Sequence, residues 1–208
     1  VAPGIAFAQP FQMGEKITYD IKKLGVSAGK ATVELKGETV VNNQKRLLII
    51  FTAKGPKFLD EEKIYVEPET FLPTRVERDL NIFGNIEQIT EDYDVKKGMV
   101  RITKIAGGKT TEQVIEKESR MENIYGFLYR YRQSGNFKIG NAVKLNLPTK
   151  NLTLKIIKQY NISIAGKTYN SFLMQSDPKR YNIWFDSGSQ KLPLRIDGAL
   201  GMGKTSMM

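Results

Sequence analysis

Apolar and polar residues alternate along most of the chain, which is the pattern of half-buried β-strands. In residues 17–21, Ile, Tyr and Ile alternate with polar residues, and in residues 31–35, Ala, Val and Leu do the same. Turn-forming pairs separate such runs, and this punctuation predicts an antiparallel meander of about twelve strands. The predicted turns are Leu24-Gly25, Asn42-Asn43, Gly55-Pro56, Phe83-Gly84, Lys97-Gly98, Gly107-Gly108, Ala165-Gly166 and Ser187-Gly188.

One segment has a helical period instead. Ser119 and Glu122 have the spacing of a capping box, and apolar residues then follow at helical intervals from Ile124 to Tyr131. With Gly135 as the stop, this predicts a helix over about 120–133. The aromatic residues of 125–131 also alternate strictly, so a strand is the competing interpretation.

We therefore expect a mainly β fold. Twelve strands in a flat open sheet would leave long edges, so a large curved antiparallel sheet or incomplete barrel is predicted. The single helix is expected at its mouth or against its concave face.

Composition narrows the chemistry. The 208 residues include no His and no Cys, which excludes histidine-based triads, thiol nucleophiles, disulfides and the usual zinc sites. We expect a protein that is not an enzyme and has no catalytic residues, metal or cofactor. The net charge is +10, and all of the excess lies in residues 123–208, because residues 1–122 hold 19 basic and 19 acidic residues. This asymmetry is typical of a surface that binds anionic groups, or of a basic face that only contacts solvent.

The first eight residues are apolar and end in Ala6-Phe7-Ala8, which resembles a signal-peptidase recognition pattern with cleavage before Gln9. We expect residues 1–8 to be the remnant of a signal peptide and 9–208 a single β-rich domain of an exported, periplasmic protein. The strongly apolar run at 47–53 is far shorter than the roughly 20 residues of a membrane-spanning helix.

Five residues are candidates for ligand binding because aromatic rings beside guanidinium groups can stack on a ligand or hold an anion. Packed rings with arginines at the rim are the structural alternative. The candidates are Tyr125, Tyr129, Arg130, Arg132 and Trp184.

Two other motifs are interpreted without a functional role. Residues 198–205 match the P-loop pattern, but too little chain follows for the helix that a phosphate-binding loop requires. The carboxylates at 60–62 and 91–94 are interpreted as structural, because neighbours on a strand point to opposite faces and do not form a catalytic pair by adjacency. Glu91 and Asp94 also flank the turn at 96–98, where charge normally meets water.

Several segments resemble a known family. Residues 14–21, with Ala28-Gly29-Lys30-Ala31, resemble the start of the bacterial exported proteins of domain of unknown function 3108. Residues 124–132, 183–185 and 192–196 are similar to later landmarks of that family, so the resemblance spans about 11–205. It implies an exported β-rich protein and supplies no catalytic residues. The hairpin ending in Leu-Pro-x-Arg is also similar to one in lipoprotein carriers, whose half-barrel holds acyl chains against a helix.

The leading hypothesis is an exported, non-enzymatic cell-envelope protein that binds a lipid or other amphiphile in its curved sheet. The alternative is an assembly or surface-binding module that recognises a polyanion or a protein partner through the basic C-terminal part. A carboxylate-based glycan hydrolase comes third, since it needs two carboxylates in one cleft. Nucleic acid is not an expected partner of an exported protein.

Overall fold

The computed structural model describes residues 10–198 and 205–208. The proposed signal remnant at 1–8 and most of the P-loop-like segment lie outside the described residues. The strands, in chain order, are β1 (Lys16–Lys23), β2 (Val26–Val41), β3 (Gln44–Gly55), β4 (Phe58–Val66), β5 (Pro73–Ile82), β6 (Asn85–Asp94), β7 (Met99–Ala106), β8 (Lys109–Glu116), β9 (Ala142–Leu147), β10 (Lys150–Ile164), β11 (Lys167–Asp177), β12 (Asn182–Asp186), β13 (Pro193–Asp197) and β14 (Thr205–Met207).

The fourteen strands of the described residues belong to one antiparallel sheet, ordered β8-β7-β6-β5-β4-β3-β2-β1-β14-β13-β12-β11-β10-β9. The predicted meander is confirmed, with fourteen strands rather than about twelve. The sheet has two arms, β1–β8 and β9–β14, joined where β1 pairs with β14. Strands β8 and β9 are its edges, and the sheet is not closed into a barrel.

Five of the predicted turns form two-residue hairpin loops in which both residues have positive φ. This geometry matches the twist of the flanking strands and favours Gly and Asn. The five loops are Leu24-Gly25, Asn42-Asn43, Phe83-Gly84, Gly107-Gly108 and Ala165-Gly166.

The single helix, α1 (Ile124–Ser134), lies against the inner face of the sheet and contacts β3 and β4 of one arm and β9 of the other. The ring of Tyr125 in α1 stacks on that of Phe51 in β3, with centroids 4.3 Å apart, and this contact holds the helix against the first arm. Gly126 allows the close approach, because a Cβ there would lie 2.7 Å from the Phe71 carbonyl oxygen. The predicted position of the helix on the concave face is confirmed.

The helix begins later than the sequence suggested, and the capping-box prediction is wrong. The cap is Asn123, whose side chain accepts a hydrogen bond from the Tyr125 amide at 2.8 Å. The Glu122 amide instead donates to the Asn146 carbonyl at 2.7 Å, so strand β9 holds the segment that Ser119 was expected to cap. The strand interpretation of 125–131 is also wrong, since these residues are helical.

The core lies between α1 and the sheet. Inward residues of β1–β4 are almost fully buried, as are those of β10–β13, and the aromatic residues of α1 pack onto both sets. Eight of the eleven helix residues are buried because sheet surrounds the helix on several sides. Side chains therefore occupy the space between the helix and the concave face.

Candidate functional site

A cleft of about 1080 Å³ opens at the end of the sheet toward which the N-terminus of α1 points. Strands β4, β5 and β6 form one wall, and the β9–β10 and β11–β12 connections of the other arm form the opposite wall. The N-terminal residues of α1 lie between the walls, and the β1–β2 turn contributes to the rim.

Charged residues cover the wall formed by the first arm. Glu62 stands directly opposite Arg78 in the β4–β5 register. Arg78 donates its two shortest hydrogen bonds to the buried Asp60, from Nε to Oδ1 at 2.7 Å and from Nη2 to Oδ2 at 2.6 Å. Glu62 has a 3.4 Å contact with the Arg78 Nε, and the side chain of Asn123 also hydrogen-bonds to it. One cation is thus shared unequally between two carboxylates.

A third carboxylate, Glu91, lines the same wall from β6. Its hydrogen-bond donor is the hydroxyl of Tyr93. Burial raises the pKa of Glu91, and the Tyr93 hydrogen bond and the charge of Arg78 only partly offset this. Burial likewise raises the pKa of Glu62, to about 7, with Asp60 and Glu91 acting in the same direction against Arg78. Glu62 can therefore exchange a proton near neutral pH.

Tyr125 of α1 faces this wall. Its side chain is only 1% exposed, and it lines the cleft with its ring stacked on Phe51. Burial raises the pKa of its hydroxyl, and the nearby charges of Glu62 and Asp60 add to the effect. Within residues 10–198 and 205–208, nothing hydrogen-bonds to the Tyr125 hydroxyl, whereas the fully buried hydroxyl without a partner is that of Tyr129.

The opposite wall and the rim are basic. Lys150, Lys179 and Arg180 come from the second arm and are exposed, and Lys22 comes from the end of β1. None of these four side chains has an ion-pair partner among the described residues. Glu122 and Asp197 also line the cleft, but each is paired with an arginine. The cleft is consequently bipolar, with Glu62 and Glu91 on one wall and unpaired cations on the other. It can accept a ligand with separated positive and negative groups.

Comparison with known proteins gives one finding. The family model described as "Protein of unknown function (DUF3108)" matches residues 16–208. The chain belongs to this family. No curated protein and no solved structure gives a significant match to it. The family resemblance predicted from the sequence is thereby confirmed over almost the whole length of this DUF3108 protein.

The five ligand-binding candidates do not form one site in the DUF3108 structure, although Arg132 Cζ lies 5.4 Å from the Tyr129 ring centre. Tyr125 alone among them lines the cleft. Tyr129 and Arg132 lie in the packed interior, where Arg132 binds Glu15. Arg130 pairs with Glu122 beside a smaller surface depression. Trp184 pairs with Leu173 across the β11–β12 ladder and lies on the outer face, because its neighbours in β12 point into the core.

The cleft carboxylates correct the interpretation of the two acidic clusters as unrelated and of Glu91 as meeting water beside a turn, because Glu62 and Glu91 line one cleft. Asp60 is 5% exposed and the Glu62 side chain 12%, so both are inward-facing charges. A signal was available, because Asp60 and Glu62 share the period of two with the buried Ile64 and Val66. Charges in phase with the apolar face of a strand point inward.

Among the described residues, no grouping of three or more Asp or Glu side chains could hold a metal ion. No helix in the same residues is long and apolar enough to cross a membrane.

Proposed function

We propose that this DUF3108 protein is an exported, non-enzymatic binding protein of the cell envelope, and that it takes the polar group of an amphiphile into the bipolar cleft. The observation that carries the proposal is the open charged cleft beside an interior already occupied by side chains. An acyl chain would therefore not replace α1 against the concave face. The N-terminal Ala6-Phe7-Ala8 pattern supports export to the periplasm.

An apolar path at the rim supports the amphiphile part of the proposal. Leu24 is 79% exposed and lines the cleft, and Val26 next to the same turn is 70% exposed. Leu147 and Pro148 line the cleft from the second arm. A ligand whose headgroup occupies the cleft would lay its apolar part along these residues, because removing their apolar surface from water is favourable.

Binding of a fluorescent phospholipid to delipidated protein tests this proposal. We expect saturable uptake, weakened at least threefold by Leu24→Ser. Phe83→Ser is the matched control, because Phe83 is 71% exposed on the β5–β6 turn and does not line the cleft. Failure to take up any phospholipid, fatty acid or hydrophobic dye would overturn the proposal, as would equal effects of the two variants.

The second candidate is a module that binds an envelope polyanion through the outer face of the second arm. Register places Lys144, Lys155 and Lys158 on that face, and none has an ion-pair partner in the part of the chain that the structure describes. Retention on an anionic polysaccharide should then fall steeply with salt and after replacement of the three lysines by Gln. Lys109→Gln on β8 is the control, and salt-independent retention would contradict this candidate.

A further inference from the structure

We propose that the cleft recognises a zwitterion that carries a primary ammonium and a phosphate, with the ammonium at Glu62, Glu91 and Tyr125 and the phosphate at Lys150, Lys179 and Arg180. This rests on the proposed function and specifies its ligand. The two sets of residues belong to opposite arms of the sheet and line the same cleft.

The carboxylate wall has unused capacity for a cation. Asp60 takes both short bonds of Arg78. Glu62 is left with a 3.4 Å contact to Arg78 and a hydrogen bond with the neutral Asn123 side chain, and Glu91 with a hydrogen bond from Tyr93. An ammonium group placed between Glu62 and Glu91 would supply the positive charge that Arg78 does not. Burial raises the pKa of both carboxyl groups, and the charge of Arg78 offsets this only in part.

The hydroxyl of Tyr125 is a second and independent indication of a ligand. It is the polar atom of a side chain that is 99% buried, it borders the same wall, and no described residue hydrogen-bonds to it. The oxygen itself is not fully enclosed but opens to the cleft, where a ligand can reach it. A primary ammonium has three N–H donors, and the two carboxylates and the Tyr125 oxygen provide three acceptors.

The basic wall supplies the complement for the anionic end. Lys150 follows the β9–β10 turn, and Lys179 with Arg180 lies in the connection between β11 and β12. These three exposed cations have no described acidic partner and line the cleft across from Glu62. A phosphate monoester carries more than one negative charge and a phosphodiester carries one, and both accept several hydrogen bonds, so either suits a lysine pair with an arginine fork.

Calorimetry with the full chain at pH 7.5 tests the proposal with matched soluble probes. We expect O-phosphoethanolamine to bind at least tenfold more tightly than phosphocholine, which keeps both charges but has no N–H donor. Glycerol phosphate, which has no cation, should bind more weakly than phosphoethanolamine. Equal affinity for phosphoethanolamine and phosphocholine would overturn the inference.

Variants separate the two walls. Glu62→Gln and Tyr125→Phe should each weaken phosphoethanolamine at least fivefold and leave glycerol phosphate unchanged, whereas Arg180→Gln should weaken both probes. Glu61→Gln is the control, because its side chain points to the other face of β4. Equal losses for Glu61→Gln and Glu62→Gln would contradict the assignment.

Binding to vesicles shows whether the ligand is a lipid headgroup or a soluble molecule. It also separates failure of this inference from failure of the proposed function. Binding to vesicles that contain phosphatidylethanolamine, but not to pure phosphatidylcholine vesicles, would support a lipid headgroup. Binding of free phosphoethanolamine alone would support a soluble zwitterion. Uptake of phospholipid regardless of its headgroup would overturn this inference and leave the proposed function standing, and binding of no probe at all would overturn both.

Discussion

Replacing Arg132 with Met should lower the free energy of unfolding by about 3–5 kcal/mol, because it breaks a buried ion pair and leaves the charge of Glu15 without a partner. The Arg132 side chain is 1% exposed and that of Glu15 is 13% exposed. The guanidinium donates to both Glu15 carboxylate oxygens, at 2.5 and 2.9 Å, and to the carbonyls of Pro10 and Gln190 at 3.0 and 3.1 Å. The variant leaves all of these acceptors unpaired.

Methionine isolates this electrostatic loss from a loss of packing. The Arg132 Cζ lies 5.2 Å from the ring centre of Phe11 and 5.4 Å from that of Tyr129, and an unbranched thioether can keep contact with both rings. For a chain of this size, each 1 kcal/mol shifts the melting temperature by about 2–4 °C. We therefore expect the melting temperature to fall by roughly 6–20 °C.

Urea unfolding followed by the fluorescence of Trp184, the only tryptophan, measures the effect. Arg101→Met is the control, because the Arg101–Glu112 pair is about half exposed, and it should cost about 0–1 kcal/mol. Adding Glu15→Met to Arg132→Met should recover part of the loss, since no buried charge then remains unpaired. A loss for Arg132→Met no greater than that of the control would refute the reasoning.

Three further variants test local features. Asn123→Ala removes the cap that accepts from the Tyr125 amide and should cost about 1 kcal/mol in urea unfolding, and an unchanged midpoint would contradict the capping role. Gly135→Ala should cost roughly 1–3 kcal/mol by the same assay, because its Cβ would lie 2.3 Å from the Tyr131 carbonyl oxygen; neutral behaviour would show that the helix end can shift. Because the pKa of Glu62 is raised to about 7 by folding, wild-type stability should be lost as pH rises from about 4 through 7. Glu62→Gln should remove that loss. The free energy of unfolding of the variant minus that of the wild type should therefore be roughly 1–3 kcal/mol more favourable at pH 8 than at pH 5. An equal difference at both pH values would contradict this.

The sheet was largely predictable because its signals are local. The alternation at 17–21 and 31–35 corresponds to β1 and β2, and the Asn42-Asn43 pair fixes the hairpin that follows. Alternation also specifies which side chains face the core. The alternating aromatic residues of 125–131 misled in part because α1 is surrounded by sheet, so burial follows the surroundings of the helix and not the period of a strand.

The cleft was not predictable to the same degree. Its acidic wall depends on the register that sets Glu62 opposite Arg78 and Val76 opposite Glu91, and three strands contribute to it. Its bipolar character depends further on the curvature that brings the second arm across from the first. Neither register over several strands nor curvature is encoded in a short stretch of sequence.

The β1–β14 junction has a consequence for the order of folding. Each arm is a succession of neighbouring hairpins, so its contacts form between residues close in sequence, which favours rapid assembly. The junction is different, since the Tyr19 hydroxyl bonds the Pro193 carbonyl at 2.7 Å across 174 positions of the chain. Closing so long a loop is entropically the costlier step. The two arms should thus form early and separately, and the cleft between them should be the last part of the molecule to take shape.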